Sequence, residues 1–182
     1  MKISRTEIDG VLILEPLVFE DERGYFFESF SQNELRAAGI DAVFVQDNQS
    51  CSTGGVIRGL HYQLAPYAQA KIIRALEGMV LDVAVDLRPG SPTFGRHVAV
   101  ELSGENNRQV FIPHGFAHGF SVLSERAVIQ YKCDAYYAKE SEAGIRYDDP
   151  ALAIDWRIAP EAAIISEKDG ALPTLENARL FK

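Results

Sequence analysis

The sequence predicts an all-β fold, a sandwich or barrel whose strands close on one core, with a few short helices. Short runs rich in Val, Ile and aromatic residues recur along the 182 residues, clusters of Gly, Pro, Ser and Asn separate them, and only one segment carries both helix start and stop signals. The first run is 11–15 and the second 25–30. Ser31 then precedes Glu34 by three residues, as in a capping box, and Gly39 stands where a helix would stop, so a helix is expected over 31–38. Further strands are expected at 42–46, at 56–63 after Gly54 and Gly55, and at 71–76. The segment 79–87 alternates strictly, with Met79, Leu81, Val83, Val85 and Leu87 on one face and Asp82 and Asp86 on the other. Asp86, just before Arg88-Pro89-Gly90, reads as a solvated or turn-capping residue, whereas Asp82 in mid-strand must face a polar interior or water. Strands at 96–102, 109–112 and 127–133 follow, divided by the turn clusters 89–92 and 103–107. Residues 138–182 hold fewer strand signals; a second short helix is expected near 160–165, opened by Pro160, and the tail is expected to cover a sheet edge. Without any repeat of roughly 20–50 residues, the whole of 1–182 is expected to form a single domain with its two ends packed on it.

Composition narrows the function. A chain that is 47% hydrophobic with ten phenylalanines buries a core, and no apolar run approaches the roughly 20 residues of a membrane span. A net charge of −8 repels a nucleic-acid backbone, so any anionic ligand must be held by a local cluster of cations. The opening residues 1–10 are polar where a secretory signal needs a continuous apolar stretch, which makes a cytoplasmic address the expectation. Cys51 and Cys133 are too few and too far apart for a disulfide framework or a paired-cysteine zinc site and read as buried or incidental thiols.

Four histidines, His61, His97, His114 and His118, are the first candidates for chemistry near neutral pH. A metal-binding jelly roll wants a His-x-His pair, a nearby Glu and a further His; here the pair reads His61-Tyr62-Gln63, and no Glu stands between Gln63 and Glu77. His118 supplies only the later element, so no metal and no cofactor is expected. His61 is then a candidate general base, and Asp82, Asp47 and Asp169 are all candidates for the carboxylate that orients it. A tyrosine, with a reference pKa of about 10, suits the matching general acid because it keeps its proton until a basic enolate demands it. Tyr131 is one of seven tyrosines and, from its strand alone, reads as an ordinary half-buried aromatic. Arg23, Arg58 and Lys71 accompany turns or apolar strands; a guanidinium fork matches phosphate oxygens and an ammonium suits an oxyanion, although a lone surface arginine is usually only solvated.

Six ordered blocks, residues 19–30 (FEDERGYFFESF), 46–50 (QDNQS), 56–63 (VIRGLHYQ), 90–95 (GSPTFG), 112–120 (IPHGFAHGF) and 166–173 (SEKDGALP), together closely resemble the dTDP-4-dehydrorhamnose 3,5-epimerase family. The resemblance runs from about Phe19 to Pro173 and implies a cupin-type jelly-roll β-barrel working as a metal-free homodimer. It implies a reaction on dTDP-4-dehydro-6-deoxy-glucose, whose C4 ketone acidifies the hydrogens at C3 and C5. By the same resemblance His61 matches the base, Asp169 its dyad partner and Tyr131 the acid on the opposite face. Lys71 and His118 match substrate contacts, assigned to the charge that builds on the C4 oxygen. Arg23 and Arg58 match diphosphate contacts, Glu28 and the run Gln46, Asp47 and Asn48 polar recognition, and Tyr137 a stack on thymine with Phe19 beside it. Glu142 and Lys168 match further substrate contacts. Sister enzymes that invert C3 or C5 alone and 3,4-ketoisomerases would largely share the base and binding residues, whereas a non-catalytic nucleotide-sugar binder would keep the nucleotide pocket but more often lack His61 or Tyr131. One difficulty is geometric: three positions apart, Arg58 and His61 point to opposite faces of an ideal strand, so Gly59 must bend or bulge the strand or Arg58 must lie before it.

Overall fold

In the computed structural model, which describes all of residues 1–182, thirteen strands and two short α-helices follow one another as β1 (Lys2–Arg5), β2 (Leu12–Glu15), β3 (Phe19–Asp21), β4 (Gly24–Phe26), α1 (Gln32–Ala37), β5 (Gln46–Thr53), β6 (Ile57–Gln63), β7 (Lys71–Glu77), β8 (Met79–Asp86), β9 (His97–Ser103), β10 (Gln109–Ile112), β11 (Phe116–Val122), β12 (Arg126–Cys133), β13 (Glu142–Gly144) and α2 (Glu167–Gly170). One sheet runs β1-β2-β10-β7-β12-β5, the other β13-β6-β11-β8-β9, and β3-β4 form a separate hairpin. Neighbouring strands pair antiparallel, and the two sheets close as a jelly roll over a filling that includes Ile73, Val80, Ala84, Val100, Val110, Phe120 and Ile129.

Both sheets are also covered on the outside, so their central strands are buried on two faces. Leu35 of α1 and Ile40 seal Leu14, Ile72 and Phe111 on the first sheet, while the C-terminal tail lays Leu152, Trp156, Ile165 and Leu175 over Leu81, Val83, Val85 and Leu87 on the second. The tail also closes an edge: Ile164 bridges Val56 beside β6, continuing the line begun by β13. This explains why 79–87 alternates only in its acids. Its outward side chains lie under the tail, and Asp82 and Asp86 both point into the barrel.

The local signals hold in part. Ser31 caps α1 by accepting from the Glu34 amide at 3.4 Å, but the Glu34 carboxylate reaches the Met1 amine at 3.1 Å instead of closing a capping box, and Gly39 ends the helix at φ +82°. The strand expected at 42–46 is irregular chain whose Ala42 and Phe44 pack under α1; the strand begins at Gln46 and continues through polar residues to Thr53. The strand expected at 25–30 shortens to β4, and the expected helix near 160–165 is a single 3₁₀ turn at Pro160–Ala162. Asp86 caps the 88–93 turn, though it is fully buried rather than solvated: its oxygens accept from Arg88 Nη2 at 2.7 Å and from Ser91 Oγ and Thr93 Oγ1, each at 2.6 Å.

Burial alone would push the Asp86 carboxyl up, but those hydrogen bonds outweigh it and hold the group well below the usual carboxylate range. A depressed folded-state pKa stabilises the fold above the unfolded-state value and loses that contribution as pH falls through the folded one. Asp86→Asn should therefore cost about 3 kcal/mol at pH 7 and a smaller amount below pH ~3, checked by urea unfolding across that range. An equal cost at both pH values would show that packing, not charge, is what Asp86 supplies.

The Arg58–His61 conflict is resolved by a bulge. On β11, His118 pairs with His61 and Phe120 with Arg58, so three steps on β6 face two on β11 and the extra residue brings both side chains to one side. Gly59 is required there, at φ +124° with Gly119 Cα only 2.6 Å from where a Cβ would stand.

Candidate active site

The bulge sets the geometry of the cleft. With β6 turned at Gly59, the His61 ring is partly exposed and its Nε2 lies 2.7 Å from Asp169 Oδ1. Asp169 is held in turn by the Gly59 amide, 3.1 Å from Oδ2, and by Ser166, whose hydroxyl caps its backbone N–H in α2 at 3.1 Å. Of the three candidate orienting carboxylates, Asp169 is therefore the one that meets His61. Burial works against the ionised carboxyl, yet the bonds from His61 and Gly59 prevail and hold it below its ordinary value. An ionised Asp169 accepting from Nε2–H leaves Nδ1 as the nitrogen with a free lone pair.

Opposite stand two residues of the first sheet. Lys71 of β7 and Tyr131 of β12 both project inward, with the ammonium 5.7 Å from the phenol ring centre. His61, Lys71 and Tyr131 line both of two adjoining hollows, of 410 and 310 Å³, so the imidazole and the phenol share one cleft. Burial pulls the Lys71 ammonium below the usual lysine range and, with the neighbouring Cys133, pushes the Tyr131 phenol up, which keeps its proton on at neutral pH. His118, Cα partner of His61 on β11, lines the inner hollow, and its Nε2 lies 2.8 Å from Asp82 Oδ2.

The rim is polar. The Tyr137 hydroxyl donates to Glu142 Oε2 at 3.1 Å and Lys168 Nζ donates to Oε1 at 2.6 Å; these bonds override burial and lower the Glu142 carboxyl. Gln46 Oε1 accepts from the Tyr137 amide at 3.0 Å while its Nε2 donates to Asn48 at 3.1 Å, and Arg58 Nε donates to Ser52 at 3.1 Å beside the inner hollow. Gln63, where a metal site would want its second histidine, is buried, accepts from the Ala138 amide at 2.7 Å and donates to the carbonyls of Tyr67 and Tyr136 at 2.6 and 3.2 Å. Its amide therefore ties two loops, including the one that carries Tyr137. No group of three or more His, Cys, Asp or Glu side chains is arranged to hold a metal ion.

Gln46, Asn48, Arg58, His61, Lys71, His118, Tyr131, Tyr137, Glu142, Lys168 and Asp169 thus gather at one cleft. Four candidates do not. Asp47 alternates to the outside of β5 and pairs with Lys132 at 3.0 Å. Phe19, Arg23 and Glu28 lie exposed on and beside the β3-β4 hairpin, where Arg23 is paired with Asp21. That region packs on the other face of the first sheet, since Phe27 sits under the outward Arg74 guanidinium at 5.2 Å while Lys71 and Tyr131 face inward. Sequence reasoning missed Gln69, Ser50 and Ser166 at the cleft; nothing in their spacing distinguishes them from ordinary polar residues.

A His–Asp dyad and a tyrosine that keeps its proton, facing a common cleft edged with cations, define an isomerase-type acid–base site in a cupin-like jelly roll. Residues 5–177 match the dTDP-4-dehydrorhamnose 3,5-epimerase family, and the chain belongs to it. The chain is 54% identical over 170 residues to the dTDP-4-dehydrorhamnose 3,5-epimerase of Shigella flexneri, covering 93% of each, and 51% identical over 179 residues to that of Escherichia coli (strain K12), covering 97% and 95%. Its fold superposes with a TM-score of 0.93, at 52% identity and covering 97% and 93%, on dTDP-6-deoxy-D-glucose-3,5-epimerase from Legionella pneumophila Philadelphia 1 in complex with dTDP-4-keto-L-rhamnose.

Proposed function

We propose that residues 1–182 act as one jelly-roll unit that converts dTDP-4-dehydro-6-deoxy-D-glucose to dTDP-4-dehydro-L-rhamnose by inverting C3 and C5. The observation that carries this reading is the His61–Asp169 dyad sharing a cleft with Tyr131. His61 Nδ1 removes the hydrogen α to the ketone, and the electron pair of the broken C–H bond moves into an enolate whose charge rests on the C4 oxygen. Lys71 and His118 receive that charge. Tyr131 then returns a proton from its hydroxyl to the opposite face of the carbon, the two groups re-equilibrate with water, and the sequence repeats at the second carbon. One base can serve both because C3 and C5 flank the same carbonyl.

Nucleotide recognition follows the rim. Tyr137 stacks on thymine, Arg58 and Lys168 meet the diphosphate, and Gln46, Asn48 and Glu142 orient the polar groups. Phe19, Arg23 and Glu28 reach the same nucleotide if the exposed hairpin of a second copy covers the cleft, which is why a homodimer belongs to this reading. A cytoplasmic address belongs to the same reading, and no helix is long and apolar enough to cross a membrane.

Incubation with dTDP-4-dehydro-6-deoxy-glucose in D2O, followed by proton NMR, tests the chemistry. Deuterium should enter at C3 and C5, and the product should be consumed by a 4-keto reductase. Exchange at one carbon only would make the chain a single epimerase, and binding without exchange a nucleotide-sugar binder. Light scattering should give twice the 20.1 kDa chain mass.

A further inference from the structure

Asp82 is a buried acid beside the cleft for which the chemistry above has no task. It lies mid-strand on β8, 1% exposed, and shares the barrel interior with Val80, Ala84, Val100 and Phe120. One oxygen, Oδ2, is 2.8 Å from His118 Nε2; the other, Oδ1, is buried with no hydrogen-bond partner. A half-satisfied carboxylate among aliphatic side chains weakens a fold that a packed apolar residue would strengthen, so its presence calls for a use beyond packing.

The surroundings of Lys71 supply one. The titratable and charged groups about its ammonium are Tyr131 and Cys133 from β12, Arg58 and His61 from β6, His118 from β11, Glu142 from β13, Lys168 and Asp169 from α2, and Asp82 from β8. Burial raises both the Cys133 thiol and the Tyr131 phenol and so keeps them neutral, while Glu142 is already bound to Lys168 and Tyr137, and Asp169 to His61 and the Gly59 amide. Asp82, with one oxygen unpartnered, remains as the negative charge available to Lys71, and it opposes the effect of burial there.

We propose that Asp82 is a positioning residue, the counter-charge of Lys71 and the anchor of the His118 ring, which keeps the ammonium directed at the C4 oxygen. It accepts from His118 Nε2–H, which fixes the tautomer and the direction of that ring beside the sugar. It also supplies a negative charge to the Lys71 ammonium, so that Lys71 stays cationic where burial favours loss of its proton. The inference rests on the epimerase reading and extends it by one residue.

Asp82→Asn keeps the shape and an acceptor for Nε2–H while removing the charge. With circular dichroism unchanged, KM should stay within about threefold and kcat should fall about 100-fold, the size of losing one oxyanion contact. The alkaline limb of kcat should also move down by about one pH unit, because Lys71 loses its proton more easily without its counter-charge. An unchanged kcat, or a fall in kcat with the alkaline limb unmoved, overturns the proposal. Should Asp82→Asn not fold, 15N NMR of the wild-type protein decides: His118 Nε2 is expected to be protonated and hydrogen-bonded throughout the active pH range, and an unprotonated Nε2 overturns the assignment. Wild-type exchange at C3 and C5 beside an indifferent Asp82→Asn sinks this inference alone; wild-type protein without exchange sinks the epimerase reading as well.

Discussion

His61→Ala should bring hydrogen exchange at both C3 and C5 of the keto-sugar to background, with kcat reduced about 10³- to 10⁴-fold, the upper range for loss of a general base. The effect is large because the cleft offers no substitute. Asp169 faces the imidazole and the Gly59 amide, Glu142 is neutralised by Lys168, and His118 is turned to Asp82. It is common to both carbons because a single nitrogen serves them in turn. Binding should persist, since the rim residues that meet the nucleotide are untouched, and dTDP titration of the variant by calorimetry would check this. Exchange surviving at one carbon would reveal a second base for that carbon.

Tyr131→Phe should separate abstraction from inversion. The substitution deletes one hydroxyl and keeps the ring against Lys71, so the wall of the cleft is preserved. His61 can still remove a hydrogen and return deuterium to the same face, so solvent exchange with retained configuration should continue within about tenfold of the wild-type rate. Formation of the inverted sugar should fall about 100-fold or more, the usual size of losing a positioned acid. Following isotope content and sugar configuration in one NMR time course reads both. If exchange and inversion fall together, the phenol is part of the wall and the proton comes from elsewhere.

What sequence alone made visible, and what it hid, follows from where side chains face. The apolar strands β2, β6, β7, β8, β9, β10 and β12 are legible because their residues must be buried on at least one side. β5 hides because Gln46, Asn48 and Ser50 face a wet cleft, Asp47, Gln49, Cys51 and Thr53 face solvent, and its one buried side chain, Ser52, is polar, leaving no apolar alternation to count. β11 hides because Gly119 interrupts it for the close approach of β6. The His–Asp pairing spans 108 residues and no local pattern encodes it; only the order of six blocks across the chain singles out Asp169 from Asp47 and Asp82. Asp47 shows the limit of carrying a motif over as a block, because period-2 alternation turns it away from its two neighbours. Phe19, Arg23 and Glu28 show another: a single chain does not bring them to the cleft, so their use depends on assembly.

Because Asp169 rides on a tail laid over the second sheet, the imidazole and its carboxylate come from segments 108 residues apart and meet only where that tail is docked. The apolar contacts of Leu152, Trp156, Ile165 and Leu175 that cover the sheet therefore also bring the carboxylate to the ring. Undocking the tail would draw the carboxylate from the ring and at the same stroke bare the apolar outer face of the second sheet.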